Sequence, residues 1–233
     1  MKKVILFHII TLSIYTYGQK MELVESFIGY THKSEIISFT PNPKLIMSGD
    51  YTGAVNLWDL EQQKLIRTIN AHTSPINNLT FHNKKNLFLT CSKDSTIKLW
   101  SFYATKLLDS LKIEHEPTLA FFNESRNSYF ICTNHGMILE KKINRETLTE
   151  ITKLKHAIND AIFTEDKKNI ITCDNESIKT ISLNNGEIIN EITNPYSSHF
   201  LKIDIYSGDT LISWSENGLI SYWDLNNQTV LTE

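Results

Sequence analysis

The sequence predicts an all-β chain of about five repeated units, each built from four short strands. Three observations carry this reading. First, a turn anchor recurs at Gly53, Ser95, Gly136, Glu176 and Gly218, in steps of 42, 41, 40 and 42 residues. Second, an apolar pair two residues apart recurs upstream of each anchor. The pairs are Ile37/Phe39, Leu79/Phe81, Leu119/Phe121, Ala161/Phe163 and Ile203/Ile205, in steps of 42, 40, 42 and 42. Third, the stretches between turns are rich in β-branched and aromatic residues, and none shows a 3.6-residue apolar stripe.

The elements follow in order. The second unit reads as "PINNLTFH", "NLFLTCS", "TIKLWSF" and "KLLDSL". Turn chemistry separates such segments: "TPNPK" and "HNKKN" after first strands, Asn217-Gly218, and the run from Asn184 to Gly186. Asn-Gly supplies the positive φ that a tight hairpin needs. A period near 40 residues with four strands per period is the pattern of β-propeller blades. The expected units are 29–70, 71–112, 113–153, 154–193 and 194–233, with 21–28 as a leading outer strand, so that residues 19–233 form the propeller. The opening "MELVESFIGY" resembles the outer strands "KLIRTINAH" and "TLTEITKLKH". Two arrangements stay open. Residues 22–28 complete the fifth blade and close the ring, or the sheets form an incompletely closed arc. An arc would leave two apolar faces exposed and favour self-association.

Composition narrows the function. With 233 residues, 41% hydrophobic and 21% charged, the chain is an ordinary globular one. A formal charge of −3 argues against a broad nucleic-acid surface. The N-terminus differs in kind. "MKK" precedes the uncharged apolar run "VILFHIITLSIYTYG", and Thr16 and Gly18 suit cleavage before Gln19. Residues 1–18 are expected to be a secretory signal peptide, giving a periplasmic or secreted protein with no stable membrane span after cleavage. The alternative is a membrane anchor left uncleaved, for which the run is short of the ~20 residues a span requires. Residues 1–18 hold two of the 23 basic residues and none of the 26 acidic ones, so the remainder carries 21 against 26, a net of −5.

The period, the His-led first strand, the Asp turn and the endings "KLW", "LWDL" and "YWDL" resemble WD-repeat β-propellers. The likeness covers the chain after residue 18. It is sharpest in units one, two and five, and rests on spacing in units three and four. In that family a His, a Ser or Thr, a turn Asp and a Trp of one blade form a hydrogen-bonded chain. The resemblance implies such a tetrad at His72, Thr90, Asp94 and Trp100. It implies partial sets at His32, Ser48 and Trp58, with Thr52 in the Asp place, and at Ser213, Asn217 and Trp223. Units three and four keep His115 and His156 in this reading, lose the Trp, and would rely on apolar packing.

The reactive side chains fit the repeat better than they fit chemistry. His32, His72, His115 and His156 are spaced 40, 43 and 41 residues apart, which places them in different blades rather than around one ion. Cys91, Cys132 and Cys173 are 41 residues apart twice over. They read as three buried free thiols, because equivalent sites in neighbouring blades lie too far apart for a disulfide. An odd number of free thiols sits uneasily with export. No nucleophile elbow, phosphate loop or dinucleotide fingerprint is present in the sequence, and nothing in the pattern calls for a catalytic residue, a metal or a cofactor. Trp214 falls where other units carry Cys or Gly, so it either plugs a gap near a closure seam or offers a ring to a partner. The resemblance implies that Tyr51 and Lys93 fall in turns on one rim, and Tyr196 falls in the longer link "PYSS". These four residues are the candidate partner contacts. The resemblance implies a non-catalytic scaffold that binds a protein or peptide through its rim loops. The alternative is an exported propeller that binds a small molecule or glycan, or hydrolyses one, in its central channel.

Overall fold

The computed structural model describes residues 34–195, 198–227 and 229–232. The expected signal peptide, the expected leading strand 21–28, His32 and Tyr196 lie outside the described residues. The described chain is all-β, with no helix among its elements. Five four-stranded antiparallel sheets follow one another, each with its strands in sequential order. Sheet one holds β1 (Ser34–Phe39), β2 (Leu45–Asp50), β3 (Ala54–Asp59) and β4 (Lys64–Asn70). Sheet two holds β5 (Ile76–Phe81), β6 (Leu87–Ser92), β7 (Thr96–Ser101) and β8 (Lys106–Lys112). Sheet three holds β9 (Pro117–Asn123), β10 (Ser128–Thr133), β11 (Met137–Lys142) and β12 (Leu148–Lys153). Sheet four holds β13 (Asp160–Phe163), β14 (Asn169–Cys173), β15 (Ser177–Ser182) and β16 (Ile188–Thr193). Sheet five holds β17 (Phe200–Ser207), β18 (Thr210–Ser215), β19 (Ile220–Asp224) and β20 (Thr229–Thr232). This is the architecture of a WD-repeat-type β-propeller of about five blades.

Alternation along each strand gives every sheet two flat faces, and both are apolar where a neighbour covers them. The forward face of one sheet meets the rear face of the next. Met47 and Val55 of sheet one pack on Ile76, Leu79, Phe88 and Trp100 of sheet two. Leu89, Cys91, Ile97 and Leu99 pack on Ala120, Phe122, Tyr129 and Ile131 of sheet three. Phe130, Cys132 and Ile138 meet Ala161, Ile170 and Ile181 of sheet four. Ile171, Cys173 and Ile178 meet Ile203, Leu211 and Trp223 of sheet five. The innermost strands follow the same order, β1 beside β5, β5 beside β9, β9 beside β13 and β13 beside β17. Four of the five buried apolar clusters are thus joints between sheets, and the fifth, Ile46 and Trp58 with Ile37, Leu60 and Leu65, lies on the rear face of sheet one.

The register corrects one sequence expectation. Leu79 and Phe81 lie opposite Thr90 and Phe88, on the rear face of sheet two. The pair in sheet three that lies opposite Ile131 and Tyr129 is Ala120 and Phe122. Leu119 and Phe121 lie opposite Cys132 and Phe130, on the forward face. A shift of one residue exchanges the faces of a strand, so an apolar pair on both faces can be read in either register. With Ala120/Phe122 the comb steps by 42, 41, 41 and 42.

Candidate interaction site

Sheet two places His72, Thr90, Asp94 and Trp100 in one hydrogen-bonded chain. The indole Nε1 of Trp100 donates to Thr90 Oγ1 at 3.0 Å. Thr90 Oγ1 lies 2.7 Å from His72 Nε2. His72 Nδ1 lies 3.0 Å from Asp94 Oδ2 and 2.9 Å from Thr96 Oγ1. Asp94 also accepts from the amides of Thr73 and Thr96 and from the Thr96 hydroxyl. The directions are mutually consistent. Trp100 donates to Thr90, Thr90 donates to Nε2, and Nδ1–H donates to the carboxylate. Burial is the larger influence on His72 and pushes it down to about 4 against the pull of Asp94, so the imidazole is neutral. Burial alone would raise Asp94. The Thr96 hydroxyl and the Thr73 amide outweigh it and hold the carboxyl below its ordinary range.

In sheets one and five the indole-to-hydroxyl part of the set is present among the described residues. Trp58 Nε1 donates to Ser48 Oγ at 2.9 Å, and Trp223 Nε1 to Ser213 Oγ at 2.8 Å. Asn217 stands on an exposed turn and caps the Leu219 amide at 3.0 Å. The acid of sheet one is Asp50, two residues before Thr52. It accepts from the amides of Thr52 and Ala54 and from the Thr52 hydroxyl at 2.9, 3.0 and 2.6 Å.

The histidine spacing misled. His72 N donates to Gly53 O at the joint between outer strand and turn. The residues making that same bond later are Ile113, Leu154 and Asn194. His115 and His156 come two places after, so they do not occupy the slot. His115 instead stacks on His135, with centroids 4.0 Å apart and rings 13° from parallel. His156 Nε2 lies 3.1 Å from Glu176 Oε2. In place of Trp100, sheets three and four carry Lys141, opposite Tyr129, and Ile181, opposite Ile170.

Apolar packing alone does not hold those sheets. Glu140 is buried and accepts from Arg126 Nε at 3.0 Å, Lys142 Nζ at 2.8 Å and Ser128 Oγ at 2.6 Å. Burial opposes its charge, but these donors prevail and hold it down to about 2. In sheet four the buried Lys179 Nζ lies 2.8 Å from Asp174 Oδ2.

A third comb went unread in the sequence. Asp50, Ser92, Thr133, Asp174 and Ser215 directly follow the second strand's last core residue, in steps of 42, 41, 41 and 41. All five are buried. The first four cap the turn: Asp50 as above, Ser92 on Asp94 N, Thr133 on Met137 N, and Asp174 on Glu176 N and Ser177 N. A small polar residue at constant period was its signal.

The turns so pinned form one rim. Tyr51 projects from the β2–β3 turn with 62% of its surface exposed, and Lys93 is exposed on the equivalent β6–β7 turn. Trp214 is half-buried on the forward face of sheet five, opposite Ile220, and is not on a rim turn. Below the stacked histidines a groove of about 380 Å³ opens between sheets two and three, with Ile113, Met137, Leu139 and Leu148 along it and Glu114 and Glu150 at its margin. The three cysteines are free and buried, and burial raises each thiol above its ordinary value. Among the described residues no three His, Cys, Asp or Glu side chains gather as a metal site would require.

The architecture and this chain of side chains are those of a WD-repeat-type blade, and comparison with known proteins finds one such repeat. The family "WD domain, G-beta repeat" matches residues 63–101. That stretch runs from the outer strand of sheet one through β7, and includes His72, Thr90, Asp94 and Trp100. The chain is similar to Retinoblastoma-binding-like protein E of Dictyostelium discoideum, at 30% identity over 39% of this chain and 18% of that protein. It is similar to Nuclear distribution protein PAC1 of Fusarium vanettenii, at 36% identity over 30% of this chain and 16% of that protein. It is also similar to human WD repeat-containing protein 36, at 38% identity over 28% of this chain and 8% of that protein. The chain spans less than a fifth of the length of each of these relatives. It therefore carries a WD40 repeat, and its relatives are WD-repeat proteins.

Proposed function

We propose that this chain is a non-catalytic interaction scaffold that holds a protein or peptide partner on its rim turns. WD-repeat proteins typically bind protein partners, and the relatives above are WD-repeat proteins. The observation that carries the reading is Tyr51. A large aromatic is 62% exposed on a turn whose backbone is already fixed by Asp50, so little conformational freedom is lost when a partner covers it. Lys93 adds a cation on the next turn of the same rim.

Affinity capture with the full chain from its own cells tests this. A specific partner is expected, lost with Tyr51→Ala or Lys93→Ala and retained with Lys84→Ala in the β5–β6 loop at the opposite edge. Equal recovery with all three variants would contradict rim binding, and turnover of glycosides or esters without a partner would contradict the non-catalytic reading. Export belongs to the same proposal. N-terminal sequencing of the protein from the envelope fraction should begin at Gln19, and an intact Met1 on cytoplasmic protein would overturn it.

A further inference from the structure

Sheet three breaks a pattern that its neighbours keep. One pair between third and outer strand recurs on the rear face: Asn56 opposite Thr68, Lys98 opposite Ser110, Leu139 opposite Glu150 and Lys179 opposite Glu191. In sheets one, two and four the third-strand residue is polar and has a partner. Asn56 Oδ1 accepts from the Thr68 hydroxyl at 2.7 Å. Lys98 Nζ donates to the carbonyl of Ala71, the residue before His72. Lys179 Nζ lies 2.8 Å from Asp174 Oδ2 and 3.2 Å from Glu191 Oε1. Sheet three keeps the acid and lacks the cation. Glu150 stands where Glu191 stands, exposed and with no ion pair among the described residues, while Leu139 takes the lysine's place.

Leu139 lines the groove of about 380 Å³ between sheets two and three. The walls are apolar because Ile113 fills the slot of His72 and Met137 that of Thr96. Glu114, exposed and also without an ion pair among the described residues, stands with Glu150 at the margin. Lys112 adds one positive charge there against these two carboxylates. A groove apolar along its length and acidic at its margin fits an aliphatic stem that ends in an ammonium. Sheet four holds such a side chain of its own, Lys179, against the equivalent acid. We propose that the groove receives a lysine side chain of the partner, its stem along Ile113, Met137, Leu139 and Leu148 and its ammonium at Glu114 and Glu150. This rests on the scaffold reading above and supplies the chemistry of the partner.

Titration of the methyl-labelled full chain with Nα-acetyl-lysine methylamide, followed by NMR, tests the groove without a partner. Saturable shifts are expected at the methyls of Ile113, Met137 and Leu139. The norleucine analogue, which keeps the stem and lacks the ammonium, should bind about fivefold more weakly, the factor for losing contact with two partly solvated carboxylates. Glu114→Gln with Glu150→Gln should lower lysine binding to that level. Both positions are exposed, and circular dichroism checks that the variant keeps its strands. No saturable shift at those methyls, equal binding of the two compounds, or lysine binding indifferent to the two glutamates would overturn the proposal. The same double variant enters the affinity capture. A partner lost with Tyr51→Ala but retained with the glutamine pair overturns the groove and leaves the rim reading standing. A partner lost with the glutamine pair but retained with Tyr51→Ala and Lys93→Ala supports the groove and overturns the rim contacts.

Discussion

Thr90 is the pivot of the blade-two chain, because one hydroxyl serves both an indole donor and an imidazole acceptor. Removing the far end of that chain strands the near end. Asp94→Ala should cost about 1–3 kcal/mol, the range for leaving a buried donor without its acceptor. Asn217→Ala should cost less, since Asn217 caps one amide on an exposed turn. Chemical denaturation of the two variants measures this, and equal midpoints would refute the role given to Asp94. His72 adds a pH dependence. Its folded value of about 4 lies below the ordinary 6.5, so the unfolded chain binds the extra proton first. The stability from keeping His72 neutral is therefore present above about pH 6.5 and is lost as pH falls through about 4. Denaturation midpoints should drop across that window and drop less in His72→Gln; equal slopes in both proteins would contradict it.

At the scale of the strand, one glycine shows how closely the sheets approach. A Cβ on Gly49 would stand 2.6 Å from Ile76 Cγ2 and 2.8 Å from Ile36 Cγ2. Gly49→Ala should therefore cost about 1–3 kcal/mol by overpacking the first joint. A thermal melt that matches the unaltered chain would show that the joint yields. Trp214 occupies the equivalent place on sheet five, the last sheet among the described residues, and is half-buried there. This contrast explains what was legible. Strand number, order and turn placement follow from period and turn residues, so the sequence could reveal them. Register was harder, because Leu119, Ala120, Phe121 and Phe122 are all apolar and alternation is silent there. Histidines at a plausible spacing concealed that Ile113 and Leu154 fill the slot of His72. The ionic contacts of Glu140 and Lys179 needed the fold, since their partners are set by cross-strand register and not by period.

For the molecule as a whole, similar flat sheets bury one another's faces in sequence, and its conspicuous side chains mostly serve that packing. The rim turns that Asp50, Ser92, Thr133 and Asp174 hold in place are then free to carry recognition, with Tyr51 the most prominent group on them. Cys91, Cys132 and Cys173 sit one at each of three successive joints, which makes them reporters of the architecture. Titration with an aromatic disulfide reagent, without reductant, reads all three joints at once. The account predicts no fast-reacting thiol in the folded chain and three after denaturation. A thiol that reacts at once in the folded protein, or fewer than three in denaturant, would contradict sheets stacked face to face.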